Sequence, residues 1–339
     1  MTPIVFITKM LGGGMETFCL GLLNAWAKQG CRATLYSSYM GGVREVDIPK
    51  CVDRVCWNVR ARNSPWKLAK WLRTRPNDPC LALSQELAVV LAFLKKSRLI
   101  KNRIYYREST DVAGHYGKWF KRLMRWLWPC FDGIIEQSKV GVDATRLVCG
   151  GRLPRCLVVR NIMDKIDTMG TPEFYDGSKI KLVCVGSFKP MKGQRLLVAE
   201  LSCETYQDWS LVFWGEGETR AVVERMVKEK GLGDNIKFND WIDDRSRIYD
   251  KCDVVVVPSD YEGLPNVMLE AILYGKRVSV RPTCTGACEL LQEIGIGETW
   301  PWRRALEVPA DKWANARERL AEICDPKKVG SEILSFMGC

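Results

Sequence analysis

Val254–Val257 is an uninterrupted run of β-branched residues, and the residues around it constrain the fold more than any other part of the chain. A strand with no polar alternation fits a parallel sheet covered on both faces. Pro258 ends the run. Glu262-Gly-Leu-Pro265 then reads as a tight loop, because Gly263 permits unusual backbone angles and Pro265 fixes its own. Asn266 reads as an N-cap, Val267 to Tyr274 as a helix and Gly275 as its terminator. Strand, loop and helix N-terminus in that order gather N–H groups with partial positive charge at one point, which suits a phosphate.

Glu262 lies in the loop and Glu270 one turn inside the helix. A carboxylate repels phosphate but accepts hydrogen bonds from sugar hydroxyls. Carboxylates on both sides of a phosphate cradle therefore point to a nucleotide sugar. Solvated glutamates on a plain strand–helix unit would share this spacing, and the pair alone leaves that alternative open.

The same cadence recurs along the chain. Pro3 to Thr8 reads as a strand, followed by Gly12-Gly-Gly-Met-Glu16 and a helix over Thr17 to Gln29. The G-x-G-x-x-G dinucleotide fingerprint is absent there, but the glycines would let backbone approach a ligand closely. Further strands are expected at Arg32–Ser37, Arg54–Val59, Cys80–Ser84, Arg103–Arg107, Phe131–Gln137 and Cys156–Arg160, with helices from Ser64 and over Glu86–Lys96. Thr168–Ser178 reads as a linker. The pattern then restarts: strands at Ile180–Val185, Leu211–Trp214, Asn235–Phe238, Val254–Val257 and Lys276–Val280 alternate with helices, and the chain reads as helical from Trp300 to its end. Alternating strands and helices predict an α/β protein with doubly wound parallel sheets. The 339 residues, 47% of them apolar, suffice for two such domains.

Charge is unevenly spread. Residues 1–165 carry 28 Lys/Arg against 12 Asp/Glu, a net +16, whereas 166–339 carry 23 against 28, a net −5. The first half should therefore meet something anionic. Within it, residues 116–128 combine Lys118, Lys121, Arg122 and Arg125 with Trp119, Phe120, Leu123, Trp126 and Leu127. That is a basic amphipathic helix with interfacial aromatics, suited to an anionic membrane surface, although the same tryptophans could face a core. No apolar run approaches the ~20 residues of a membrane span. The first residues read directly as a strand, so no signal peptide is expected and the protein is placed in the cytoplasm, peripherally on the inner face of the cytoplasmic membrane. The 15 cysteines are scattered without a CxxC pair and there is one histidine, which argues against a zinc site and suits reduced thiols.

Glu262-Gly-Leu-Pro-Asn-Val-Met-Leu-Glu270-Ala, after a strand ending in Pro258-Ser259, resembles the E-x7-E signature of family 4 retaining glycosyltransferases. These have the GT-B fold, two Rossmann-like domains facing a central cleft. Gly13-Gly14-Met15-Glu16 resembles the family's Gly-Gly-x-Glu turn, and Gly186 to Gly193 its G-R-L-x-x-x-K-G loop, with Ser187 where the family has arginine. Asn161-Ile-Met-Asp164 resembles the family's P-N-G-I-D segment, with Arg160 and Ile162 replacing Pro and Gly.

The resemblance implies an acceptor-binding domain over 1–165 and a donor-binding domain over 166–311, with a last helix, about 312–339, crossing back to the first. It implies that Gly13, Gly14, Gly186, Ser187, Lys192 and the backbone from Gly263 through Leu264 and Pro265 to Asn266 surround the diphosphate. Glu270 would hold the ribose, Glu262 the donor sugar, and backbone near Trp241 and Ile242 the base. No metal is required, because Lys192 and helix amides neutralise the leaving diphosphate, and a UDP-sugar is the expected donor. Family members place a histidine near the sugar. Here His115 comes several residues late, and Arg107 and Glu108 compete for that role. The implied function is retaining sugar transfer from a nucleotide sugar to a lipid-linked or polysaccharide acceptor, in lipopolysaccharide core, O-antigen or related surface-glycan synthesis. A GT-B-fold sugar-nucleotide epimerase is the alternative enzyme. The basic charge alone would also admit a nucleic-acid binder, but it surrounds tryptophans on an amphipathic helix, so no nucleic-acid partner is expected.

Overall fold

The computed structural model describes residues 1–10, 13–42, 44–110, 112–163, 179–205, 208–242, 244–250 and 252–339. The expected linker, Thr168–Ser178, the boundary near 165 and Asp164 lie outside the described residues. The chain divides into two compact units, Met1–Asp164 with Ile323–Cys339, and Lys165–Glu322.

The first unit holds β1 (Ile4–Ile7), β2 (Thr34–Ser37), β3 (Asp53–Cys56), β4 (Cys80–Ala82), β5 (Ile104–Arg107), β6 (Gly133–Glu136) and β7 (Cys156–Val158). They form one parallel sheet in the order β3-β2-β1-β4-β5-β6-β7. Successive side chains on a strand point to opposite faces, so a strand apolar at every position needs a cover on both. Ile4, Phe6, Tyr36 and Tyr106 pack on one face under helices Pro65–Arg73, Gln85–Lys96 and Lys118–Leu127. Val5, Ile7, Leu35 and Tyr105 pack on the other under helices Gly14–Lys28 and Pro326–Met337.

The C-terminal stretch is broken rather than continuous. Pro309 and Pro326 cannot continue a helix from within, so it forms Arg303–Glu307, Ala310–Ile323 and Pro326–Met337. The Asp325 carboxylate caps the last of these, accepting from the Lys328 N–H at 2.8 Å. That helix lies on Gly14–Lys28, where buried Trp26 donates through Nε1 to the Gly330 carbonyl at 3.0 Å. Gly330 permits the approach, since a Cβ there would lie 3.2 Å from the Ala25 Cβ.

The second unit holds β8 (Ile180–Val185), β9 (Trp209–Trp214), β10 (Ile236–Asn239), β11 (Val254–Val257) and β12 (Arg277–Val280). They form a parallel sheet in the order β10-β9-β8-β11-β12. All four valines of β11 are buried, as an all-apolar parallel strand requires. Strand order reverses between β8 and β11, and the loops leaving such a pair at its carboxyl end form the usual crevice of a doubly wound sheet. Those two loops carry Lys192 and Glu262.

Of the helices that the sequence analysis does not name, two have a capping side chain at their start. Lys139–Val148 begins at Ser138, whose Oγ accepts from Gly141 N–H at 2.9 Å. Arg245–Tyr249 begins at Asp244, whose Oδ1 accepts from Ser246 N–H at 3.2 Å. Both start signals are legible, but each helix is short and lacks a long apolar period.

Candidate active site

The loop after β8 passes through a 3-10 turn, Pro190–Lys192, and enters helix Gln194–Leu201 through Gly193 at φ +70°. Glycine is needed here twice over, for the left-handed φ and because a Cβ at Gly193 would lie 2.0 Å from the Pro258 carbonyl oxygen. The freedom the sequence assigns to Gly263 is thus used at Gly193, and Gly263 is not among the glycines of positive φ. A second tie is the Asp260 N–H, which donates to the Met191 carbonyl at 2.8 Å. The loops after β8 and β11 are therefore joined backbone to backbone.

This lock brings Lys192 onto Glu262. Its Nζ pairs with Glu262 Oε1, both side chains being largely covered. Ser259 Oγ donates to the other oxygen, Oε2, at 2.8 Å. Ser259 is itself buried, and its carbonyl accepts from Thr283 Oγ1 at 3.0 Å. The helix beyond begins at Asn266 with Pro265 in the cap position, one residue earlier than expected, so no side chain caps that end. Lys189, the other lysine of this loop, is exposed, while the Ser187 carbonyl accepts from Gln194 Nε2 at 3.1 Å.

Glu270 sits one turn into the helix with its side chain 16% exposed. Tyr249 donates its hydroxyl to Glu270 Oε2 at 2.9 Å, and Arg245 Nε lies 3.7 Å from the same oxygen. Burial pushes the Glu270 carboxyl up from its ordinary value, while the Arg245 charge and the Tyr249 hydrogen bond oppose it. The Arg245 guanidinium also stacks over the Trp241 ring, 4.1 Å from its centroid. Trp241 is 42% exposed, high for so large an apolar side chain, and Ile242 beside it is half-buried. Lys192, Glu262, Trp241 and Ile242 thus lie on the segments that follow β8, β10 and β11, and Glu270 one turn into the helix after β11.

Gly215 and Gly217, unassigned in the sequence reading, shape the neighbouring loop after β9. A Cβ at either would meet the carbonyl oxygens of Gly186 and Phe188 at 2.2 and 2.4 Å. The G-x-G spacing was the available signal.

Gly13, Gly14, Glu108 and His115 belong to the first unit. Gly13 occupies the N-cap position of helix Gly14–Lys28, and its carbonyl accepts from Thr17 N–H at 3.0 Å. His115 closes a short helix, Val112–His115, and its imidazole lies outside the described residues. Glu108 follows β5 and is sealed from solvent. Its Oε1 accepts from the N–H groups of Ser109 and Thr110 at 3.0 and 3.1 Å and from the Tyr116 hydroxyl at 3.1 Å. Burial pushes its carboxyl up to about 7 against those hydrogen bonds.

Glu136, at the end of β6, is raised too, by its own burial and by the nearby Glu108 charge, with Thr145 Oγ1 donating to it at 2.6 Å. Arg107, the last residue of β5, is buried too, lying over the Phe18 ring at 3.6 Å and donating to Asn161 Oδ1. Gln137 Nε2 donates to that same oxygen at 3.0 Å. The sequence reading named Arg107, Glu108 and Asn161 but missed Glu136 and Gln137. Their signal is a polar pair closing an otherwise apolar strand. Among the described residues, no cluster of three or more His, Cys, Asp or Glu is placed to hold a metal ion, and the cysteines are free thiols.

Helix Lys118–Leu127 divides its aromatics. Met124 and Leu127 are buried, as is Trp128 beyond them, whereas Trp119 is 73% and Trp126 51% exposed. On the two neighbouring helices of the same layer, Trp66 is 73% and Phe93 46% exposed, and Lys96 Nζ lies 4.8 Å from the Trp126 ring. Among the described residues, no helix is long and apolar enough to cross a membrane.

Comparison with known proteins fits this geometry. Residues 179–322 match the family described as Glycosyl transferases group 1. The chain is 24% identical over 239 residues to the amylovoran biosynthesis glycosyltransferase AmsD of Erwinia amylovora, spanning 68% of this chain and 67% of that protein. It is 27% identical over 113 residues to a Haemophilus influenzae protein described as an uncharacterized glycosyltransferase, spanning 33% of this chain and 32% of the relative's length. The crystal structure of Anabaena HepE in complex with UDP superposes with a TM-score of 0.78 at 18% identity, covering 100% of both chains.

Proposed function

We propose that this chain, whose residues 179–322 form a domain of the glycosyl transferases group 1 family, transfers a sugar from a nucleotide sugar to a lipid-linked or polysaccharide acceptor with retention at the anomeric carbon. The observation that carries the reading is the junction of the loops after β8 and β11, where Lys192, Glu262 and Ser259 meet beside a helix N-terminus that no side chain caps. A diphosphate entering there offers Lys192 an anionic partner in place of Glu262. Released, Glu262 retains the Ser259 hydrogen bond and turns its other oxygen to the hydroxyls of the donor sugar. As the donor bond breaks, negative charge grows on the departing diphosphate, and Lys192 and the first-turn amides stabilise it where it forms. No metal is needed for that step.

AmsD, described as an amylovoran biosynthesis glycosyltransferase, supports sugar transfer as the reaction. HepE shares the two-sheet GT-B architecture, and that relative binds UDP, so UDP-sugars are the first donors to test. Gly13, Gly14 and the Arg107–Glu108–Glu136 cluster lie in the first unit, whose basic surface suits an acceptor held at an anionic membrane. The exposed Trp66, Phe93, Trp119 and Trp126 extend that surface across three helices, beyond the 116–128 segment alone. Isothermal titration with UDP, GDP and ADP, followed by transfer assays with the matching sugars, tests the donor reading. Absence of nucleotide binding, or binding undiminished by Lys192→Met, would refute it. Incubation with donor alone tests the epimerase alternative, since only an epimerase converts it to another nucleotide sugar.

A further inference from the structure

The geometry assigns Tyr249 and Arg245 as positioning residues that tie down one oxygen of Glu270, so that the other is held for the ribose hydroxyls of a nucleoside diphosphate. The inference rests on the donor-site reading above and adds to it the residues that orient the ribose acceptor.

Both contacts converge on a single atom. The Tyr249 hydroxyl donates to Glu270 Oε2 at 2.9 Å, and Arg245 Nε stands 3.7 Å from that oxygen. Among the described residues no hydrogen bond or ion pair falls on Oε1, while the side chain retains 16% exposure. A carboxylate with one oxygen engaged and the other open has one direction in which to accept. Arg245 and Tyr249 are one helical turn apart on Arg245–Tyr249, so they present to the same side. Tyr249 has little freedom: it is fully buried and its ring packs 4.9 Å from that of Tyr274. Its hydroxyl is therefore aimed before any ligand arrives, and a pre-aimed acceptor avoids the ordering entropy of binding.

The pair also keeps Glu270 a good acceptor. Burial favours the protonated form, and the Arg245 charge and the Tyr249 donor both oppose that. A protonated carboxyl would offer the weaker, uncharged hydrogen bond. Arg245 lies over the Trp241 ring as well, so one guanidinium links the residue whose backbone is assigned to the base and the carboxylate assigned to the ribose.

The test compares UDP, GDP and ADP by titration calorimetry, then the tightest binder against its 2′,3′-dideoxy counterpart. A hydrogen bond to a charged group corresponds to a preference of roughly 10- to 100-fold for the ribonucleotide in the wild type. In Tyr249→Phe, which preserves the ring packing, this preference should fall to a third or less of its wild-type value, with dideoxynucleotide affinity changed less than about twofold. Arg245→Met, on a partly exposed helix, should lower the preference in the same direction and serves if Tyr249→Phe does not fold by circular dichroism. In a Glu270→Gln background, Tyr249→Phe should have no further effect, because coupled residues are not additive. An undiminished preference in both single variants, or equal weakening of both nucleotides, would overturn the inference while leaving the donor site standing. A wild type that binds the nucleotide without preferring the ribose would remove Glu270 from the ribose and the inference with it. No binding of any nucleotide would sink the donor-site reading itself.

Discussion

Gly193→Ala tests whether the two loops of the site are locked through their backbones. Gly193 stands at φ +70°, where an alanine costs roughly 1–2 kcal/mol in left-handed strain alone. The added Cβ would also lie 2.0 Å from the Pro258 carbonyl oxygen. Ordinary carbon–oxygen contacts lie near 3.3 Å or beyond, so one loop must move by about 1 Å, and neither atom is the end of a flexible side chain. Moving it strains the Asp260–Met191 hydrogen bond, itself about 1 kcal/mol, and shifts Lys192 off Glu262. The expected total is about 3–4 kcal/mol, or a fall in thermal midpoint of roughly 6–16 °C for a unit of this size.

Two controls separate the terms. Gly231→Ala has a similar φ, +67°, with nothing within 4 Å of the new Cβ, so it should show the strain alone. Gly233→Ala has neither strain nor clash and should melt like the wild type. Differential scanning calorimetry measures the midpoints, and titration with nucleoside diphosphate measures the site. If Gly193→Ala melts with Gly231→Ala and binds nucleotide as tightly, the locking argument is wrong.

Lys192→Met should weaken nucleoside diphosphate binding by roughly 10- to 100-fold, the loss expected for one charge-assisted hydrogen bond, as read by calorimetry. In the first unit, Glu108 ordinarily titrates near 4.5 and is pushed up to about 7, so the folded state holds a proton that the unfolded chain releases between those values. That contribution is fully present below pH 4.5 and is lost as pH rises through 7. Thermal midpoints from pH 5 to 8 should therefore fall with rising pH, and Glu108→Gln should flatten the slope. Glu136, raised by the same burial and by Glu108, acts in the same direction. Replacing Trp119 and Trp126 together by Ser should weaken binding to anionic vesicles with no change in nucleotide affinity, as read by sedimentation. Equal binding to neutral and anionic vesicles in the wild type would dismiss the membrane surface. Gly330→Ala should destabilise the chain by about 1–2 kcal/mol in urea denaturation, because its Cβ enters a contact between closely packed helices.

The sequence by itself determined the strands and the broad plan. Runs such as Val254–Val257 are legible because burial on both faces demands apolar residues at every position. The placement of Lys192 before a helix and of Glu262 and Glu270 around another was legible for the same local reason: a loop between strand and helix has a short, typical length. What the sequence missed depends on distance along the chain. Tyr249 and Glu270 are 21 residues apart and Lys192 and Glu262 are 70 apart, and no local pattern records such pairings. Nor does it separate Trp119, exposed, from Trp128, buried, since both lie in one basic aromatic segment. The sheet order decided which loops meet, the packing of helices on the sheet decided which tryptophans face outward, and burial decided which carboxylates hold their protons. Each is a property of neighbours in space, and only the folded chain supplies them.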